Sequence, residues 1–428
     1  MLSFLKEPQE ETAIREAMAN ATKREEANLP VIDLSSGNAG KMVLNEHLFT
    51  HFQLEVNESL PRPLRLISEA LKSGLTKAFY SELAGLPYST AGGTDAVKHL
   101  ALRYFKEFHG VPLNDDDLDR VIVSAGGQQV LTASLRSIKS GTRVYIPRWE
   151  YSPVPEIIRN NGCKEVRIPL SDDLSLKLDY IEDKVEDESV LYLSMPNNPT
   201  GYTSPKDLSE ITKIMGEKNG GLIWDAPYLF TILKLTPSKA TFDRGFQQEI
   251  INEFKTNFTE KDDNVCILSS LSKTCLLTGL RFGLATSSEK WIKYMNTTIS
   301  RENISSPTAS FIIGAEALKL FLNEPITHEW LCRAVADRLT MLIEEDIPLI
   351  LPKNGIYGAF YGLIKTKDSD GSRFSNEIIN KFGIVTIPGD SFYGDKIDVI
   401  RISLVATPWS EGDPIWRENV ISLKKALS

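Results

Sequence analysis

The chain has 428 residues, with 57 acidic against 48 basic side chains and a formal net charge of −9. Its 42% hydrophobic and 25% charged residues are ordinary for a globular protein, and the length allows two domains. No Lys/Arg-rich run stands out, which argues against nucleic acid as a partner, and no apolar run reaches the length of a membrane span. The four cysteines show no CxxC spacing. We therefore expect neither a disulfide framework nor a metal site, and a reducing, cytoplasmic location is favoured.

The predicted elements begin with a polar, helix-prone segment from residue 1 to about 28, which we interpret as an arm or first helix. Its apolar stretch is too short for a signal peptide. Residues 31–38 predict a short strand that runs into a turn. From about residue 62 to 310, strand-like runs alternate with amphipathic helical stretches, and the strands fall at 120–124, 143–147, 190–194, 221–225 and 265–269. Such alternation predicts an α/β domain with a mostly parallel central sheet.

The pattern changes beyond about residue 310. Helical stretches cover 308–323 and 328–345, short strands are predicted at 357–364, 384–387 and 398–404, and a last helix covers 415–426. This order predicts a smaller α+β domain. We expect residues 1–60 to form the arm and part of the small domain, 61–310 the large domain, and 311–428 the small C-terminal domain.

Unusual residues follow the predicted parallel strands, where the ligands of open α/β sheets bind. After the first strand, Gly126-Gly127-Gln128 opens a helix, and its exposed N–H groups predict a phosphate site, although a plain turn is the simpler interpretation. The spacing is neither GxGxxG nor a P-loop. After the second strand, Trp149 could lie flat on an aromatic cofactor, or be an ordinary core or interface tryptophan.

Two further strand ends carry polar groups. Asn198, in the segment 195–201, has an amide that can donate to a phenolate oxygen, or it simply shapes a turn. Asp225 ends an apolar strand, where an unpaired carboxylate would be costly, so it needs a cation such as a protonated pyridine nitrogen. A helix N-cap is the alternative role for this aspartate.

The last of these strands ends at Ser270-Leu271-Ser272-Lys273, and Arg281 follows eight residues later. A lysine amine beside hydroxyls and an arginine offers an imine partner and an anion site, the two things that pyridoxal phosphate needs. A surface lysine is the alternative.

These segments, in this order, resemble the class I and II aminotransferases of fold type I, which depend on pyridoxal phosphate (PLP). The motifs that carry the resemblance, from about residue 30 to the end, are Asn197-Asn198-Pro199-Thr200-Gly201, Asp225-x-x-Tyr228, Ser270-x-Ser272-Lys273, Gly279-x-Arg281-x-Gly283, Pro388-Gly389-x-x-Phe392 and Arg401-Ile402-Ser403. The resemblance implies a large PLP-binding domain, with a mostly parallel sheet flanked by helices, and a smaller α+β domain.

The resemblance also implies roles around the cofactor. Lys273 would form a Schiff base and move the proton, Asp225 would pair with the pyridine nitrogen, and Asn198 and Tyr228 would bind the ring oxygen. Trp149 would stack on the ring. The residues implied for the phosphate are Gly127, Gln128, Ser270 and Arg281, with Tyr88 reaching the phosphate of the neighbouring subunit.

The implied partners are an amino acid and a 2-oxo acid, bound in a homodimer with shared active sites. Arg401 would clamp the substrate α-carboxylate with its planar fork, and Gly37 and Asn38 would close over the substrate. Arg301 could bind a side-chain carboxylate, although a solvated or Glu-paired arginine is the plainer interpretation.

The reaction itself stays open between two chemistries of the same cofactor. Transamination between an L-amino acid and a 2-oxo acid needs one mobile base, which Lys273 supplies, and it is the leading hypothesis. Elimination or replacement at the β or γ carbon, as in a C–S lyase, or cyclisation of an amino acid is the alternative. A non-catalytic ligand-binding or regulatory protein that keeps the fold is a third hypothesis. Such proteins often add a DNA-binding domain, and we expect none here because only about 30 residues precede the first motif.

Overall fold

The structure is a computed structural model that describes residues 13–42, 62–83, 88–259, 263–323, 326–367 and 369–428. Its helices are α1 (Ala13–Glu26), α2 (Arg62–Leu83), α3 (Asp95–His109), α4 (Gly127–Arg136), α5 (Pro153–Asn160), α6 (Leu178–Lys184), α7 (Pro205–Glu217), α8 (Arg244–Lys255), α9 (Leu271–Thr274), α10 (Glu289–Asn303), α11 (Thr308–Asn323), α12 (Ile326–Glu344), α13 (Gly371–Phe382), α14 (Asp390–Tyr393) and α15 (Pro414–Leu427). Its strands are β1 (Ile32–Asp33), β2 (Val121–Ala125), β3 (Arg143–Pro147), β4 (Lys164–Ile168), β5 (Val190–Ser194), β6 (Gly221–Asp225), β7 (Leu233–Thr236), β8 (Lys239–Thr241), β9 (Val265–Ser270), β10 (Phe282–Thr286), β11 (Leu349–Ile350), β12 (Ile356–Tyr357), β13 (Tyr361–Lys365), β14 (Ile384–Val385), β15 (Ile387–Pro388) and β16 (Val399–Ser403).

The largest sheet has seven strands in the order β2-β10-β9-β6-β5-β3-β4. β10 runs antiparallel to both of its neighbours, and the other pairs are parallel. The predicted α/β fold with a mostly parallel sheet is therefore confirmed, and each of the five predicted strands is present. β4 and β10 were not predicted.

Apart from the edge strand β4, the strands of this sheet are apolar because both faces are covered. In β5, Leu191 and Leu193 pack into one apolar cluster, while Val190 and Tyr192 pack into another on the opposite face. Since successive side chains of a strand alternate between faces, a strand buried on both sides becomes a continuous apolar run. Every residue of β5 and β9 is buried, so the polar residues at their ends are held in place by packed backbone.

The C-terminal part contains a second, antiparallel sheet in the order β11-β13-β16-β15. The predicted strand at 357–364 is divided into β12 and β13, and the predicted helix at 415–426 is α15. β1 pairs in parallel with β14, so that Ile32 lies opposite Ile384. This pairing ties the N-terminal segment to the C-terminal part of the chain.

The cysteines Cys163, Cys266, Cys275 and Cys332 are buried free thiols, and burial raises the pKa of each. Within the described ranges, no group of three or more His, Cys, Asp or Glu side chains could hold a metal ion. Among the helices of those ranges, none has the length and apolar character needed to cross a bilayer.

Candidate active site

A cavity of about 250 Å³ lies where β2, β5, β6 and β9 end. It collects residues from the large sheet, from the N-terminal segment and from the antiparallel sheet. Apart from Leu131 and Pro227, the residues that line it are Gly37, Asn38, Gly127, Gln128, Tyr151, Ser194, Asn198, Asp225, Tyr228, Ser269, Ser270, Ser272, Lys273, Thr278, Arg281, Tyr361 and Arg401.

Lys273 stands on the one-turn helix α9, which follows β9 without a break. Its Nζ donates a hydrogen bond of 2.6 Å to the carbonyl oxygen of Gly37, and lies 5.7 Å from the centre of the Tyr228 ring. The structure therefore brings the predicted lysine and the predicted N-terminal segment together in one cavity. The lysine is partly buried rather than a surface residue.

The predicted phosphate site is built from two segments that are far apart in sequence. Gly126, with a φ of 92°, precedes the first residue of α4, and a Cβ at this position would lie 2.5 Å from Nη2 of Arg281. Arg281 is itself held by a hydrogen bond from Nη1 to the carbonyl oxygen of Thr278, 2.8 Å long. Ser270 lies against Gly127, where an added Cβ would be 3.4 Å from its Oγ. A helix N-terminus beside a guanidinium and a hydroxyl is suited to a phosphate dianion.

Asp225 ends β6 at the floor of the cavity. Burial raises the pKa of its carboxyl to about 6, although a 2.8 Å hydrogen bond from the Tyr192 hydroxyl and the positive charge of Lys273 act in the opposite direction. No cation lies within 4.0 Å of this carboxyl among the described residues. A cationic ligand group would stabilise its ionised form, as the sequence argument expected.

Arg401 has a buried guanidinium group, and not all of its N–H donors are used by the described residues. Nη2 donates to the carbonyl oxygen of Ser35 at 3.0 Å and Nη1 to Oδ1 of Asn198 at 3.3 Å, while Nε has no partner among the described residues. Burial lowers the pKa of Arg401. Its guanidinium carbon lies 4.1 Å from the ring centre of Tyr361 and 4.5 Å from that of Phe392. A buried arginine without a carboxylate partner in the described part of the chain is a site for an anion.

Tyr361 is a site residue that the sequence did not reveal. Its hydroxyl lies 2.9 Å from that of Tyr228. Burial raises the pKa of Tyr361, but the positive charges of Lys273 and Arg401 and the hydrogen bond with Tyr228 outweigh burial, so the net shift is downward. No charge or turn motif marks this residue in the sequence. It reaches the site because β13 pairs with β16, the strand of Arg401.

Trp149 is a correction to the sequence analysis. Its ring is buried outside the cavity and packs 4.8 Å from the ring of Tyr393, so the structure does not place it for stacking on a ligand in the cavity. Tyr151 lines the cavity instead, and its hydroxyl donates to Oε1 of Gln128 at 3.3 Å. Between Trp149 and Tyr151, the carboxyl of Glu150 accepts hydrogen bonds from the amide and the hydroxyl of Ser194.

The remaining predicted residues divide into two groups. Gly37 and Asn38 line the cavity, as expected. Tyr88 and Arg301 are exposed and do not line it, with 81% of the Tyr88 surface accessible. Their predicted contacts involve a second subunit and remain predictions.

Comparison with known proteins identifies the class. The model of the family "Aminotransferase class I and II" matches residues 56–411, and the chain belongs to this family. These enzymes depend on PLP and are transaminases.

Individual relatives agree with the family. An aspartate aminotransferase of Pyrococcus horikoshii is 26% identical over 350 residues, which cover 79% of this chain and 82% of the relative. A histidinol-phosphate aminotransferase of a Thermoanaerobacter species is 25% identical over 329 residues, or 74% of this chain and 80% of the relative. The solved aspartate aminotransferase of Thermus thermophilus with maleate has the same fold, with a TM-score of 0.76 at 19% identity over 99% of this chain and 100% of that one.

The donor set of the cavity fits PLP. The phosphate matches the α4 N-terminus with Arg281 and Ser270, and the pyridine nitrogen matches the buried acid Asp225. Arg401 donates to Oδ1 of Asn198, and Nδ2 of Asn198 makes no hydrogen bond to the described residues, so this amide would have a donor to offer the ring oxygen. Lys273 supplies the amine.

Proposed function

We propose that this chain moves an amino group between an L-amino acid and a 2-oxo acid, and that Lys273 is its Schiff-base residue. One observation carries the proposal: one cavity is lined by a lysine amine, a buried carboxyl and a buried guanidinium, and among the described residues the carboxyl has no cation partner and the guanidinium no carboxylate partner. PLP, when bound, supplies an aldehyde carbon that takes up an amine and a ring that withdraws electrons.

The proposed roles around the ring follow from the contacts. Asp225 pairs with the ring nitrogen and keeps it protonated, since that positive charge removes the cost of ionising a buried acid. The Nδ2 group of Asn198 and the hydroxyl of Tyr228 bind the ring oxygen. The phosphate is held by Gly127, Gln128, Ser270 and Arg281.

Arg401 is proposed to hold the substrate carboxylate. Its fork binds two carboxylate oxygens in parallel, and the rings of Tyr361 and Phe392 keep the guanidinium in place and exclude water. Gly37 and Asn38 cover the substrate from the N-terminal side. Lys273 would then take the proton from the substrate Cα and deliver it to the cofactor.

Elimination and cyclisation are not favoured, since the family model and the relatives are aminotransferases. We further propose a cytoplasmic homodimer that serves amino acid biosynthesis. Support for the dimer comes from the exposed aromatic side chains Phe79, Tyr80 and Tyr88, which are 59%, 65% and 81% accessible. Support for the location comes from the four unpaired cysteines.

The first experiment tests the lysine. Purified protein incubated with PLP should be yellow, and Lys273→Ala should abolish the visible absorption band. Lys319→Ala, which removes a half-exposed lysine on α11, is the matched control and should keep the band. A colourless wild-type protein would contradict the proposal.

The second experiment tests the reaction. A panel of amino acids is assayed with and without pyruvate or 2-oxoglutarate, and both keto acid and ammonia are measured. Transamination requires the acceptor and releases no ammonia. Turnover with ammonia release in the absence of any acceptor would instead establish elimination or cyclisation.

A further inference from the structure

Glu150 is a buried acid that the proposed reaction does not use. Its side chain is fully buried between β3 and β5, and four groups donate hydrogen bonds to its carboxyl. Oε1 accepts from Ser194 Oγ at 2.5 Å and from the Tyr151 amide at 2.7 Å. Oε2 accepts from the Ser194 amide at 2.9 Å and from Asn197 Nδ2 at 3.4 Å. No cation lies within 4.0 Å of it in the described part of the chain.

The hydrogen bonds match the ionised form of the acid. Ser194 Oγ accepts from Asn197 Nδ2 at 3.1 Å and from the Asn198 amide at 3.2 Å, so its own proton is left for Glu150. Burial raises the pKa of Glu150 to about 8, and the donors of Ser194 and Tyr151 act against burial. Burial makes the carboxylate the costly form, and the four donors reduce that cost without removing it.

Two chains of contacts lead from Glu150 to the cavity. Through Ser194 it holds the backbone of Asn198, whose Oδ1 accepts from Arg401. Through its own backbone N–H it reaches the carbonyl oxygen of Phe392 at 3.3 Å, and the ring of Phe392 lies against the guanidinium of Arg401. The same carboxyl fixes the backbone of Tyr151, which lines the cavity.

We propose that Glu150 is a positioning residue of the cofactor site, and that its carboxyl holds the backbones of both Asn198 and Tyr151 in place. Four donors around one carboxyl require an acceptor at both oxygens, and glutamine offers an acceptor at only one. Glu150→Gln therefore leaves an NH₂ group facing N–H and O–H donors, although the side chain keeps its size. The network that runs through Ser194 to the Asn198 backbone is then weakened, and the Asn198 amide shifts from its proposed place against the ring oxygen. This inference rests on the proposed function.

The test compares Glu150→Gln with Glu165→Gln, a matched control on the neighbouring strand β4 whose carboxylate pairs with Arg159 and Arg167. PLP is titrated into each protein, and the readouts are its dissociation constant, the pH midpoint of the bound cofactor's visible band and the thermal midpoint. We expect the PLP dissociation constant of Glu150→Gln to rise about tenfold, the scale of one or two lost hydrogen bonds. The pH midpoint should move upward, because the ring oxygen loses a donor that favours its anion.

Ser194→Ala tests the same network without changing the acid. It should alter the PLP dissociation constant and the pH midpoint in the same directions, and the double variant should show less than the product of the two single effects, because both act through one contact. If Glu150→Gln does not fold, the same readouts measured on Ser194→Ala test the inference.

A lowered thermal midpoint with an unchanged PLP dissociation constant and pH midpoint would overturn the inference, because a purely structural role moves stability alone. Failure of the proposed function gives a different pattern. In that case neither wild type nor Glu165→Gln would bind PLP.

Discussion

Asp225 should destabilise the protein at neutral pH when PLP is not bound, and Asp225→Asn should therefore stabilise it. Asparagine is similar in size and can still accept the hydrogen bond from Tyr192 through its carbonyl oxygen. The substitution removes the charge that burial makes costly. In the absence of cofactor, Asp225→Asn should be more stable than wild type, although it lacks the carboxylate that we propose pairs with the ring nitrogen.

The size of the stabilisation follows from the shift in the pKa of the Asp225 carboxyl. Burial raises the pKa of Asp225 from 3.8 to about 6, so between these values the folded chain binds a proton that the unfolded chain has released. The free energy of unfolding therefore falls as the pH rises through this window and remains lower above it. The shift corresponds to about 3 kcal/mol at pH 7.

The assay is chemical unfolding of cofactor-free wild type and Asp225→Asn between pH 4 and 8. The advantage of the variant should be small near pH 4, grow up to about pH 6 and then stay constant. With PLP bound, the positive ring nitrogen compensates Asp225, so the variant should lose its advantage and bind PLP more weakly. A stability difference that does not change with pH would refute the reasoning.

Two further predictions concern the substrate side of the cavity. Arg401→Lys keeps the charge but loses the planar fork, so KM for the amino acid should rise about tenfold or more while the bound cofactor keeps its absorption band; an equal KM would place the carboxylate elsewhere. Gly37→Ala places a Cβ 2.2 Å from the Tyr361 hydroxyl, and should lower the free energy of unfolding by about 1–3 kcal/mol and reduce turnover. Tyr361→Phe in the same chain removes that oxygen and should restore part of the stability, and no restoration would mean that the clash is relieved in another way.

The location of Lys273, Asp225 and Asn198 in one cavity was predictable from their positions in the sequence. Lys273, Asp225 and Asn198 each follow a continuous apolar strand, and parallel strands bring their carboxyl ends to one edge of the sheet. The residue types then indicate the chemistry, since a buried acid needs a cation and a lysine at the end of a buried strand offers an amine for an imine.

The features that were missed depend on contacts between distant segments. β4 reads Lys164-Glu165-Val166-Arg167-Ile168 and is an edge strand with alternating charges, so it lacks the apolar run of its neighbours. β10 directly follows Arg281 and returns antiparallel between β2 and β9, a pairing that alternation of strands and helices does not predict.

The positions of the side chains at the rim of the cavity were harder still to predict from the sequence. Tyr361 reaches the site only through the pairing of β13 with β16. Trp149 was assigned to the ring from its place in the sequence, but its side chain packs against Tyr393 outside the cavity. Such directions are decided by packing, which one sequence does not display.

The buried cysteines have a consequence for the chemical selectivity of the protein. An aldehyde such as PLP reacts with thiolates as well as with amines, and a thiolate requires a thiol that can lose its proton to solvent. Cys275 stands two residues from Lys273, yet it is buried, and burial raises its pKa to about 12. The three other cysteines are buried as well. If Lys273 forms the proposed Schiff base with PLP, the buried thiol of Cys275 does not compete with it for the aldehyde carbon.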